Sequence, residues 1–140
     1  MIKEFAFTVI VIMTISCGRD EPIANYEPGS PDEKALKRVL LDFQDGVNSR
    51  DAEKVAGVIH DQATLIIGRQ REQLSKTQYL GRLPQRLSAN FPIALSIPRV
   101  SIQENSADVR VYLSRGDFRL LMTFQVLLEN GKWFINSWSY

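Results

Sequence analysis

One cysteine and one histidine limit what chemistry this 140-residue chain can carry. The lone thiol, Cys17, has no partner for an intramolecular disulfide and cannot build a cysteine zinc site. With His60 as the single histidine, a histidine-rich metal centre is excluded too, and no acidic run has the spacing of a calcium loop. No metal and no cofactor are expected. His60 is followed by Asp61, which invites an acid–base pair, but neighbours at a helix end point in different directions. The expected role of His60 is at the helix C-terminus, where a partly charged imidazole is favourable. Arg69 and Arg71, in "GRQR", could clamp an anionic ligand, although they read first as solvated charges flanking a strand. In "DVRVYLS", Asp108, Arg110 and Tyr112 alternate with Val109, Val111 and Leu113, so the polar set falls on the face opposite the apolar one.

Charge narrows the partners. Lys plus Arg number 17 and Asp plus Glu 16, a net charge of +1 with no basic stripe, so nucleic acid is not an expected partner. The composition, 44% hydrophobic and 24% charged, is that of one globular domain with a real core.

Cys17 gains a meaning from what precedes it. Lys3 lies in a short leading segment, and an apolar run extends from Phe5 to Ile15. That run is shorter than the roughly 20 residues a bilayer-crossing helix needs, and it has the length of a secretory signal core. It ends in Ser16, Cys17 and Gly18. The pattern resembles the lipobox of bacterial lipoproteins, in which the thiol receives a diacylglyceryl group and cleavage leaves the cysteine first. The resemblance implies a signal peptide over 1–16, a lipidated Cys17, and a membrane anchor in the cell envelope. Gly18 is not the Asp that commonly retains lipoproteins in an inner membrane, so with two membranes the outer one is expected.

Residues 17–30 include "GRDEPIANYEPGS", with its prolines, glycines and charges, and read as a flexible tether. Order is expected from "SPDE": Ser30 as helix cap, Pro31 in the first turn, and Glu33 three residues after the cap. The helix that follows places Leu36, Val39, Leu40, Phe43 and Val47 on one face. Asp51 can cap a shorter helix bearing Val55, Val58 and Ile59. "ATLII" predicts a strand. Ser75 can cap a third helix, ended or kinked near Gly81 and Pro84. Thereafter "ALSIPRVSIQ", "ADVRVYLS", "DFRLLMTFQVLLEN" and "KWFINSWSY" alternate as four strands of an antiparallel meander. Phe118, Leu120, Met122, Phe124, Val126 and Leu128 form one apolar face. The opposite face, with Leu121 and with Phe134 and Trp138 beside it, is a candidate surface for a homodimer or an envelope protein. Helices first and a meander last predict an α+β domain over 31–140.

"VNSRDAEKVAGVIHDQATLII" and the final "GKWFINSWS" resemble the nuclear transport factor 2-like superfamily, which includes ketosteroid isomerase and SnoaL-like cyclases. The resemblance covers Pro31 to Tyr140 and implies a cone: a curved, mostly antiparallel sheet wrapped around three N-terminal helices, with a pocket at the open end. It also allows the isomerase positions to be tested. Aligned on Asn48 and Asp51, the oxyanion-donating tyrosine falls at Phe43, which has no hydroxyl. The general base falls at Ile67, which takes no proton, and the late strand Phe118–Leu128 holds no carboxylate. The expectation is a non-catalytic binding domain for a small apolar ligand or a protein partner, with Phe43, Ile67, Met122 and Phe124 as pocket-lining residues. The alternative is a SnoaL-like enzyme using other polar groups, drawn from Asp108, Arg110 and Tyr112.

Overall fold

A computed structural model of the chain describes residues 20–86 and 92–140. The expected signal peptide over 1–16 and the expected lipidation site Cys17 lie outside the described residues. The first long element is helix α1 (Pro31–Ser49), and its start follows the cap chemistry. Ser30 is extended, its hydroxyl accepts the Glu33 N–H, and Pro31 needs no amide partner in the first turn. The Glu33 carboxylate reaches back to the Gly29 N–H at 3.2 Å, one residue before the cap. Arg50, in the left-handed region at φ 59°, ends the helix. Asp51 then caps α2 (Ala52–Ala56) by accepting the Lys54 N–H. Val58 and Ile59 follow α2 rather than completing it. They run beside the last strand, exchanging the Ile135 N–H to Val58 O and His60 N–H to Ile135 O bonds at 2.7 and 2.8 Å.

Next come a hairpin of β1 (Thr64–Ile67) and β2 (Glu72–Ser75) and helix α3 (Lys76–Arg86). β2 was not expected from the sequence, because "EQLS" has one apolar residue and no visible alternation. Leu74, its buried member, pairs with Leu65. Ser75 caps α3 as expected, exchanging bonds with Gln78 in both directions. Gly81 lies within this helix and Pro84 in its last described turn. The helix runs on to Arg86, because the buried Tyr79 and Leu83 hold its inner face on the core.

The main sheet has five strands, all antiparallel: β3 (Ala94–Leu95), β4 (Arg99–Gln103), β5 (Ser106–Arg115), β6 (Phe118–Glu129) and β7 (Lys132–Ser139). β3 and β4 both pair with β5 and form the stretch expected as one strand, split around Pro98, which has no N–H for a ladder. Two side chains of α1 replace the missing neighbour of β3. Asn48 exchanges two bonds with the Ile93 backbone, and Gln44 accepts the Leu95 N–H. The result is the α+β cone, with three helices against the concave face of a curved sheet.

The expected tether is corrected where it is described. Ile23 is fully buried, the Ile97 N–H bonds to Glu21 O, and Lys37 holds the carbonyls of Ala24 and Tyr26. Asp20 makes a two-pronged ion pair with Arg119 at 2.7 and 2.8 Å. Residues 20–30 are part of the domain, pinned by a buried isoleucine that composition alone conceals.

Candidate functional site

A cavity of about 330 Å³ opens at the wide end of the cone. Its floor is aromatic. Phe43 from α1 meets Phe124 and Trp138 edge-to-face with centroids 5.6 Å apart, and Tyr79 from α3 meets Trp138 at 5.4 Å. Such edge contacts fix ring orientation. The Trp138 indole N–H donates to Ile66 O at 2.8 Å, which locks that ring to β1. Aliphatic walls come from Val47, Ile66, Ile67, Leu83, Leu113 and Met122.

Trp138 was expected on the outer face, and a bulge explains why it is inside. Ile135 pairs with Val126, but Ser137 pairs with Gln125, so Asn136 has no opposite residue. One extra residue flips the alternation. Trp133 and Ile135 point inward before the bulge and Trp138 after it, while Phe134 stays outside against His60 and Lys132. Phe118 is also corrected. It shares the apolar face of β6, yet at the strand's first residue it reaches the cavity mouth and is 57% exposed.

The four residues singled out from sequence fall as follows. Phe43, Ile67 and Met122 line the cavity. Phe124 does not: fully buried, it lies behind Phe43 and Trp138 as the layer that supports the floor. Sequence reasoning missed Tyr79, Leu83 and Arg115. The first two are four residues apart on α3, one helical face. Arg115 continues the alternation of Val109, Val111 and Leu113 onto the concave side, a signal that was present in the sequence.

Among the described residues, charge enters at the rim. Arg69, in the β1–β2 turn, and Arg115, at the end of β5, both line the cavity. The Arg115 Nε–H is shielded from solvent and has no acceptor among the described residues. Leaving such a donor unpaired costs about 1–3 kcal/mol. Arg71 does not join them, because its guanidinium donates to the main-chain oxygen of Tyr140 at 2.7 Å. Tyr140 in turn donates its hydroxyl to Gly68 O, which braces the turn that carries Arg69.

The other candidates lie elsewhere. Asp108 and Arg110 are exposed on the convex face, with Val109 and Val111 buried beneath. Tyr112, on the same side, lies under the Arg119 guanidinium at 3.5 Å. His60 does not cap its helix. Its Nδ1 accepts the Gln62 N–H, and its Nε2 lies 2.7 Å from Glu129. Asp61 points away to Lys76, whose ammonium holds its carboxyl below the usual range. Among the described residues no group of three His, Cys, Asp or Glu side chains could hold a metal, and no helix is long and apolar enough to cross a membrane.

The architecture has many solved counterparts. A cystatin-like protein of unknown function from Nostoc punctiforme aligns with TM-score 0.69 at 16% identity, over 80% of this chain and 91% of its own. An NTF2-like protein from Cytophaga hutchinsonii gives 0.67 at 14%, over 79% and 97%. A structure described as a "putative ketosteroid isomerase" from Kribbella flavida gives 0.52 at 19%, over 75% of each chain. At these identities the likeness is one of fold. No curated protein sequence matches. A family model described as "Putative lumazine-binding" matches residues 31–140, the whole helix-and-sheet unit. The chain belongs to that family, and its fold is the nuclear transport factor 2-like cone.

Proposed function

We propose that the domain is a non-catalytic binding module that holds one flat, fused-ring ligand inside the cone. The observation that carries this reading is the cavity itself, about 330 Å³, aromatic at its floor and aliphatic at its walls. That size lies within the range of small-molecule sites. The family's description names lumazine, a flat bicyclic pteridinedione, and a slot of this kind suits such rings. The ionisable side chains lining the cavity among the described residues are arginines and tyrosines. At neutral pH an arginine takes no proton and a tyrosine is not a ready base. That chemistry favours binding over proton abstraction.

Calorimetric titration with lumazine and with 2-naphthamide, a neutral fused-ring compound, tests the reading. One site per chain is expected, lost in Ile67→Trp, which fills the cavity, while that variant keeps its melting temperature. Heat from neither compound, or binding that survives Ile67→Trp, contradicts it.

We further propose that Cys17 is lipidated and anchors the domain in the cell envelope, in the outer membrane where there are two. Three residue steps, about 11 Å at full extension, separate Cys17 from Asp20. Asp20 is held by Arg119, next to Phe118 at the cavity mouth. A lipid on Cys17 therefore keeps the mouth close to the bilayer. Metabolic labelling with a fatty-acid analogue should mark the wild type and not Cys17→Ala. Equal labelling, or none in either, removes the anchor.

A further inference from the structure

We propose that the ligand of the cone is an aromatic acid, whose anionic group pairs with Arg115 at the rim while Arg69 adds a second positive charge. This rests on the cavity being a binding site, as proposed above. Three observations carry the inference to a class of ligand.

The first is the state of Arg115. Its Nε–H is shut off from solvent with no acceptor among the described residues, which leaves the terminal N–H groups to face the cavity that Arg115 lines. The two terminal nitrogens present N–H groups side by side, in the geometry that a carboxylate accepts with both oxygens. No described side chain supplies that carboxylate. Asp117, in the same β5–β6 turn, forms no ion pair with Arg115, and the nearby Asp20 is committed to Arg119. Arg115 and Arg69 take no part in the ion pairs among the described residues.

The second observation is placement. Arg115 shares the concave face with Val111 and Leu113, and its partner across the β5–β6 ladder is Phe118, 57% exposed at the same rim. An aromatic platform beside a cation suits a ring that carries its charge on one edge. The third is the sign of the site. No aspartate or glutamate lines the cavity among the described residues, so both charged groups there favour an anion. In a low-dielectric recess that preference is stronger than on open surface.

The experiment compares 2-naphthoate with 2-naphthamide, which match in shape and differ in charge, by calorimetry at one fixed salt concentration. For the wild type the acid should bind about tenfold tighter than the amide. Arg115→Gln should erase most of that preference while leaving the amide affinity within about twofold. Arg115→Lys, which keeps the charge and loses the paired donors, should fall between. Arg69→Gln should weaken only the acid, and by a smaller factor. Amide binding with no preference for the acid overturns this inference and leaves the cavity reading standing. Equal losses for acid and amide in Arg115→Gln also overturn it, because they mark a structural role. Binding of neither compound to the wild type overturns the cavity reading, and this one with it.

Discussion

At the scale of single residues, the entry to α1 links a hydrogen bond to pH. The Tyr26 hydroxyl donates to Glu33, which caps the helix start through Gly29 and Ser30. Burial, and then the neighbouring carboxylate, push the Tyr26 hydroxyl up to about 12. The Tyr26 hydroxyl, followed by the Gly29 amide, holds Glu33 below the usual glutamate value. A lowered carboxylate stabilises the fold above its ordinary value, and that contribution is lost as pH falls through it. A raised phenol stabilises below its ordinary value, and that contribution is lost as pH rises toward 12. Tyr26→Phe should therefore lower the urea midpoint most between about pH 5 and about pH 9 and less on either side. A gap that stays constant from acid to alkaline pH would contradict this assignment.

The elements depend on two glycines in opposite ways. A Cβ on Gly46, in α1, would lie 2.7 Å from Val55 Cγ2 and 3.2 Å from Val55 N. Val55 is fully buried on α2 and cannot yield, so Gly46 sets how closely the two helices approach. Alanine there gains helix propensity but overpacks the contact, and Gly46→Ala should cost about 1–2 kcal/mol. Gly81, in α3, meets no described atom within 4 Å. Gly81→Ala should stabilise by about 0.5–1 kcal/mol. Denaturant melts in which both variants move the same way would show that one of these environments is wrong. The same elements separate what was legible in sequence from what was not. The caps Ser30, Asp51 and Ser75 each use a local bond within three residues, so their positions could be read directly. β2 and the last turns of α3 depend on partners outside each element, Leu65 across the hairpin for one and the aromatic floor for the other. The bulge at Asn136 left no local signal, and it sent Trp138 to the opposite face from a strict alternation.

At the scale of the whole molecule, the cone was readable because helices dominate the first part of the domain and the long alternating strands fill its last part. The contents of the cone were only partly readable. Phe43 and Met122 follow from amphipathic faces, whereas the rim depends on where Arg69 and Arg115 end up once two strand ends converge. The N-terminal segment was misread for a related reason: Ile23 is a single apolar residue among polar ones, yet it is fully buried. The cavity is the place where the ligand goes. Methyl-detected NMR during titration with 2-naphthoate tests that claim most directly, because an aromatic ring shifts the methyls it faces. Ring-current shifts are expected at Met122, Ile67 and Leu83, which line the cavity, with Leu36 and Val55 unmoved in the distant core. Shifts confined to the exposed Leu121 on the convex face, with the cavity methyls silent, would contradict it.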